Sequence, residues 1–77
     1  MTHTPNRRVR IAEEIRRLMA AQSKKPAELA AAAGISPAQI KGRLKGRKPF
    51  DTEELDSIAK IFHLRASDIS RRTDVTA

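Results

Sequence analysis

The chain has 77 residues, and its 16 Lys and Arg residues outnumber its 9 Asp and Glu residues, which gives a formal net charge of +7. This length allows one small hydrophobic core and no second domain. Because the chain has no cysteine, disulfide frameworks, thiol nucleophiles and cysteine-based zinc sites are excluded. No apolar run approaches the roughly 18 residues that a membrane span needs. A chain this basic most often binds an anionic partner, above all nucleic acid.

The composition also predicts the fold class. Tyr and Trp are absent, whereas Ala, Leu, Arg, Lys and Glu are plentiful, so helix formers outweigh strand formers. We predict an all-α fold, a compact domain of four to five helices that spans residues 1–77 with an ordered core of about 7–70. The N-terminal residues lack the apolar stretch of a signal peptide, and we expect a cytoplasmic protein.

The spacing of apolar residues divides the chain into four helices and a short final turn. In the first helix, about 6–22, Ile11, Ile15, Leu18 and Met19 fall on one face. The other predicted elements are helices at about 26–33, 37–45 and 52–62 and a last turn that begins at Ser67. One shared core is expected from Leu29, Ile40, Leu44, Leu55, Ile58 and Phe62.

The most informative stretch lies between the second and third predicted helices. Gly34 can take the left-handed conformation that ends a helix, Ser36 can cap the next helix, and Pro37 suits its first position. Two helices separated by about three residues, with a glycine that opens the turn, are typical of a helix-turn-helix. We assign this motif to about 26–45.

The third helix is predicted to have two different faces. Ile40 and Leu44 share the inner face. Gly42 lies outside and costs about 1 kcal/mol relative to alanine within a helix, so it reflects either close approach to a ligand or an accident of sequence. The complete outward set is Ala38, Lys41, Gly42 and Lys45, flanked by Gln39 and Arg43.

Positive charge is concentrated in residues 41–48, which contain five cations and no acid. A solvated helix face would explain this charge, but its place on the predicted third helix favours contact with DNA. Four acids follow directly and can stabilise the start of the fourth helix through its dipole. Because these acids repel DNA, we expect the fourth helix to face away from it. They are Asp51, Glu53, Glu54 and Asp56.

The ordered set of these residues resembles the lambda-repressor/Cro-like family of helix-turn-helix proteins, also known as xenobiotic-response-element-type regulators. The resemblance covers about residues 11–69. It implies a four- or five-helix domain that binds operator DNA, usually as a two-fold dimer, with the second helix across the backbone and the third in the major groove. The residues that carry it are Leu29-Ala30, Gly34-Ile35-Ser36, Ile40, Gly46, Pro49, Leu55, Ile58-Ala59 and Phe62.

The sequence departs from the pattern that this resemblance implies. Family members often hold a phosphate with a polar side chain where Pro26 stands, and they often read bases from the positions of Pro37, Ala38 and Gly42. The last three can offer only shape or apolar contact with a thymine methyl. Where the family tends to have glycine, this chain has His63, which we expect in a left-handed or strained conformation.

Two groups of candidate DNA-binding residues follow. For the recognition helix they are Ser36, Pro37, Ala38, Gln39, Lys41, Gly42, Arg43 and Lys45, with hydrogen-bonded base contacts expected from Gln39, Lys41, Arg43 and Lys45. For the DNA backbone they are Lys25, Arg47, Lys48, Arg7, Arg8 and Arg10. The last three arginines form either an arm on the DNA or only a soluble tail.

Catalysis is not predicted. His3 and His63 are isolated and stand in no metal-ligand spacing. The acidic pairs 13–14 and 53–54 are adjacent, so their side chains diverge by about 100° on a helix and cannot converge on one substrate. We expect no enzyme activity, no metal and no cofactor.

The sequence therefore predicts a DNA-binding transcriptional regulator, a repressor of phage or bacterial type that occupies its operator. The expected partners are double-stranded DNA and a second copy of the chain, at least on DNA, with a regulatory protein partner as a further possibility. The alternative is an antitoxin-like protein that binds a second protein as well as DNA. A basic peptide for membrane surfaces is disfavoured, because the large apolar residues fit a closed core.

Overall fold

The computed structural model describes residues 7–73 and confirms the all-α fold class. This part of the chain contains five helices and no strand. None of its helices is long and apolar enough to cross a membrane. The helices are α1 (Arg7–Gln22), α2 (Pro26–Ala33), α3 (Pro37–Leu44), α4 (Thr52–Ile61) and α5 (Ala66–Thr73).

One core holds the five helices together. Helix α2 packs on α3 and α4, whereas α1 packs on α3 and α5, and α4 also contacts α5. Phe50, in the loop before α4, lies partly buried against this core. The six predicted core residues are all buried in the same cluster, which confirms the assigned helix faces: Leu29, Ile40, Leu44, Leu55, Ile58 and Phe62.

The C-terminal element is longer than the sequence predicted. The expected turn from Ser67 is helix α5, and it continues to Thr73, past the predicted end of the ordered core at 70. Ile69 is fully buried, and the Arg72 guanidinium donates to the buried Glu14 carboxylate on α1 across 3.3 Å. This contact between distant segments stabilises the extra turn.

The start of α5 carries its own cap. The Asp68 carboxylate accepts a hydrogen bond from the backbone N–H of Arg65 at 2.9 Å and another from the Arg71 guanidinium at 2.7 Å. The backbone hydrogen bond, together with the charges of Arg71 and Arg65, holds the pKa of Asp68 below its ordinary value.

Candidate nucleic-acid interface

The turn between α2 and α3 is built as the sequence predicted. Gly34 takes the left-handed conformation, with φ of 71°. The backbone N–H of Ile35 then donates to the carbonyl of Ala30 at 3.1 Å, which closes the end of α2. Helix α3 begins after only two further residues. The pair α2 and α3 is therefore the helix-turn-helix, and it ends at Leu44, one residue before the predicted end at 45.

Ser36 and Gln39 fix the start of α3 by two reciprocal hydrogen bonds. The Gln39 backbone N–H donates to Ser36 Oγ at 3.1 Å, and the Ser36 backbone N–H donates to Gln39 Oε1 at 2.9 Å. Pro37 occupies the first helical position, where a backbone N–H is not needed. This capping box orients the Gln39 amide. Its oxygen faces a backbone donor, and its NH₂ group remains as a hydrogen-bond donor.

The inner side of α3 is anchored by the core and by contacts with α1 and α4. Ile40 and Leu44 are buried in the core. Arg16 of α1 donates a hydrogen bond to the Leu44 carbonyl at the end of α3. On the other side, Arg43 Nε pairs with Glu54 Oε1 of α4 at 2.8 Å. The orientation of α3 is therefore set by apolar packing and by polar contacts with α1 and α4.

The placement of Arg43 differs from its predicted role as a base-contacting side chain. Its side chain is only 15% exposed, and its Nη1 also donates to the Gln39 carbonyl at 3.3 Å. A guanidinium that is paired and mostly buried positions α3 rather than extending from it. The cause is Glu54, which is buried at the start of α4.

The outer side of α3 remains accessible. Gly42 is half-buried, and the other predicted recognition residues on this side are exposed. Gln39 contributes a polar amide. Ala38 and Gly42 have small side chains or none, so they form a shallow depression in the helix surface between larger neighbours. The exposed set is Ser36, Pro37, Ala38, Gln39, Lys41 and Lys45.

Positive charge continues beyond the end of α3. Gly46 has φ of 79°, and a Cβ at this position would lie 3.1 Å from Val9 Cγ2. The turn after α3 therefore lies directly against the start of α1, with little room for a side chain at residue 46. Arg47 and Lys48 follow and are exposed. In the described residues 7–73, no acid forms an ion pair with Lys41, Lys45, Arg47 or Lys48.

The N-terminal arginines form part of a helix and not an extended arm. They lie in the first turn of α1. Arg7 donates to Ser70 Oγ at 3.0 Å, and Arg10 donates to the Thr73 carbonyl at 3.1 Å. Arg8 is exposed. The guanidinium groups of Arg7 and Arg10 thus contact α5, and neither residue belongs to a loose tail.

Lys25 stands directly before α2 and is exposed. Its backbone N–H donates to Glu28 Oε2 at 2.7 Å, which fixes the start of this helix. Its ammonium group is therefore carried by the first helix of the motif, whereas Arg47 and Lys48 follow the second. The candidate backbone-binding cations come from three separate segments of the chain.

Two contacts that support the interface were not predicted from the sequence. Glu54, which was expected to stabilise the start of α4, accepts a hydrogen bond from the Asp51 backbone N–H at 3.2 Å. Its ion pair with Arg43 was not predicted, because 11 residues separate the two. Arg16 and Leu44 are 28 residues apart. No local spacing indicates either contact.

A comparison with family models decides the assignment of this helix pair. Residues 14–74 match the model of the Cro/C1-type HTH DNA-binding domain. The chain belongs to the Cro/C1-type helix-turn-helix family. It is therefore a DNA-binding transcriptional regulator, and its family is one of regulators that generally lack enzymatic activity. No curated protein and no solved structure shows significant similarity to the chain.

Proposed function

We propose that this Cro/C1-type regulator is a repressor that binds its operator as a homodimer and excludes RNA polymerase by occupancy. The observation that carries the proposal is the exposed side of α3, which combines an oriented Gln39 amide with cations that no acid in residues 7–73 neutralises. DNA offers both counterparts, base edges in the major groove and phosphates beside it.

Base contacts are assigned to α3. Gln39 Oε1 is engaged by the Ser36 backbone N–H, so the amide NH₂ of Gln39 is the group that meets a base acceptor, such as N7 or O6 of guanine. Lys41 is exposed on the outer side of the same helix and carries three further donors. Lys45, exposed at the C-terminal end of α3, extends this donor surface towards the neighbouring phosphates.

Phosphate contacts are assigned to Arg47 and Lys48, with Lys25 and Arg8 as flanking cations. All four are exposed, and cations outside the recognition helix contribute affinity without sequence preference. Arg7 and Arg10 belong to the same proposed group, but their hydrogen bonds to α5 give them a second role in positioning the start of α1.

A homodimer on DNA is proposed with its contact at α4 and at about 64–72. These segments follow the helix-turn-helix and leave α3 accessible in each copy. Two copies related by a two-fold axis would place their α3 helices in successive major grooves, about 10 bp apart. As a regulator of phage or bacterial type, the protein acts in the cytoplasm or nucleoid.

Footprinting on the DNA that flanks the protein's own gene, combined with a transcription assay on the same DNA, tests the proposal. We expect two protected half-sites about one helical turn apart and less transcript as occupancy rises. One asymmetric half-site at every protein concentration contradicts the dimer, and increased transcription contradicts repression. Co-purification of a stoichiometric acidic protein supports the antitoxin-like alternative instead.

A further inference from the structure

Gly42 is a glycine that the fold itself does not require. Gly34 and Gly46 have positive φ, and Gly46 also lies tightly against Val9. Gly42 has neither property: it lies inside α3 with a helical backbone. Apart from its chain neighbours and the backbone of its own helix, no atom of the described residues lies within 4 Å of a Cβ added there. Alanine is more favourable than glycine within a helix. The space beside Gly42 is therefore unoccupied by protein atoms and open to solvent.

This space is part of a groove on the exposed side of α3. The groove has a volume of about 300 Å³ and is lined by Ala38, Gln39, Gly42, Arg43, Arg47 and Lys48. Ala38 and Gly42 are four residues apart and so adjoin on the helix surface. Neither has a polar side chain, whereas Arg47 and Lys48 supply positive charge at the border. The groove thus combines an apolar floor with an anion-attracting edge.

The major groove of DNA presents a matching combination. The C5-methyl group of thymine is the apolar feature of its base-pair edges, and phosphates lie along its border. We propose that the groove at Ala38 and Gly42 receives a thymine methyl of the operator, with the adjacent phosphate held by Arg47 and Lys48. This inference rests on the proposed function, since it requires α3 to enter the major groove. Gly42 then determines specificity by leaving room of about one methyl group.

The proposal predicts opposite effects of Gly42→Ala on stability and on binding. In the free protein the added methyl meets open space, so the melting temperature rises by several degrees as helix propensity improves. On DNA the same methyl occupies the place of the thymine methyl, so affinity for the selected operator falls about tenfold. Binding to unrelated duplex DNA, which depends on phosphate contacts, stays within about twofold.

The test begins with selection of duplexes from a randomised DNA pool by the unaltered full chain. The best duplex is then titrated with the unaltered chain, with Gly42→Ala and with the control Ala20→Ser, which adds one atom to an exposed position of α1. Each thymine is replaced in turn by deoxyuridine, which lacks only the methyl. We expect one replacement per half-site to weaken binding by the unaltered chain about fourfold. The same replacement should strengthen binding by Gly42→Ala, because the base then has no methyl group that competes with the added side chain.

Two results overturn the groove assignment alone. One is a Gly42→Ala protein that binds the selected duplex as tightly as the unaltered chain and Ala20→Ser do. The other is a lower melting temperature of Gly42→Ala, which would mean that the fold needs this glycine. If the unaltered chain selects no DNA sequence at all, both the groove assignment and the proposed function are contradicted. This outcome is distinguishable from the first two, in which the unaltered chain does select a sequence.

Discussion

Two regions of the molecule are rich in positive charge but use it differently. In the seam between α1 and α5, the buried Glu14 carboxylate accepts from Arg17 and Arg72, and on the surface of α5 Asp68 pairs with Arg71. In the cationic segment 41–48, only Arg43 forms an ion pair within the described part of the chain. Positive charge in the seam therefore holds the protein together. Positive charge in the cationic segment remains available to an anionic ligand.

The comparison shows that the number of basic residues does not define a DNA-binding surface. Within residues 7–73, seven positive side chains outside the cationic segment contact protein groups: Arg7, Arg10, Arg16, Arg17, Lys60, Arg71 and Arg72. What distinguishes the cationic segment is the absence of acids between 41 and 48. A protein acceptor nearby in space, whether a carboxylate, a hydroxyl or a carbonyl, gives a cation a structural role whatever its position in the sequence.

The largest expected effect concerns the apolar anchor that carries the cationic segment. Ile40 is fully buried beneath α3, so Ile40→Ala should cost roughly 2–4 kcal/mol through lost burial and a residual cavity. A domain of this size has a total stability of only about 5 kcal/mol. Thermal unfolding monitored by circular dichroism should therefore show a nearly unfolded variant, and DNA binding should be lost with the fold. A melting temperature close to that of the unaltered chain would contradict the assigned inner face.

The next effect concerns the one ion pair that the cationic segment makes. Glu54→Gln keeps the capping oxygen of α4 but removes the charge that faces Arg43, whose side chain is 15% exposed. We expect a loss of about 1–3 kcal/mol in the free energy of unfolding, because a mostly buried guanidinium loses its charged partner. Chemical denaturation measures this loss. The exposed neighbour serves as the control, and Glu53→Gln should change stability by less than about 0.5 kcal/mol; equal effects would exclude a specific pair.

A smaller effect of opposite sign is expected outside both regions. His63, after the end of α4, has φ of 61°, as expected from the sequence. His63→Gly should stabilise the protein by up to about 1 kcal/mol, because glycine accepts this left-handed conformation without steric cost. The melting temperature should rise by about 4–8 °C per kcal/mol, while the affinity for DNA stays unchanged. A lower melting temperature would show that His63 makes contacts worth more than the strain.

The smallest effect is a pH dependence at the start of α5. The pKa of Asp68 is lowered by the Arg65 backbone N–H and by Arg71, so its ionised form stabilises the folded state at neutral pH. This stabilisation is present above the unfolded pKa, near 4, and is lost as pH falls through the lower folded pKa. Asp68→Asn should lower the melting temperature slightly at pH 7, and the difference from the unaltered chain should shrink towards pH 3. A difference that grows in acid would contradict the direction of the shift.

Local signals explain how much of the fold the sequence predicted. The starts of α2, α3 and α4 agree with the prediction, because Ser36, Asp51 and the prolines at 26 and 37 act within one helical turn. The last turn of helix α5 was not predicted, and two of its contacts come from distant residues of α1: Glu14 accepts from Arg72, and Arg10 donates to the Thr73 carbonyl. Sequence periodicity contains no information about such a contact.

The same distinction applies to the candidate site. The outer side of α3 follows from helical geometry, and the structure places Ala38, Gln39, Lys41 and Lys45 there as expected. The role of Arg43 was not predictable, since it depends on which carboxylate the fold brings near it. The openness beside Gly42 likewise depends on neighbours in space. The sequence left two explanations for Gly42, which were close approach to a ligand and an accident of sequence. The structure shows that packing within the protein does not require a glycine at this position.

We propose that position, and not charge alone, makes the cationic segment the DNA-binding region. Arg47→Ala and Arg17→Ala test it most directly, because each removes one exposed arginine and lowers the net charge equally. Arg47 belongs to the cationic segment, whereas Arg17 pairs with Glu14 in the seam. The measurement is the dependence of DNA affinity on salt concentration for both variants and the unaltered chain. We expect Arg47→Ala to weaken binding to every duplex and to reduce the slope of log K against log salt by about 0.9, with Arg17→Ala unchanged. Equal slopes for the two variants would contradict the account.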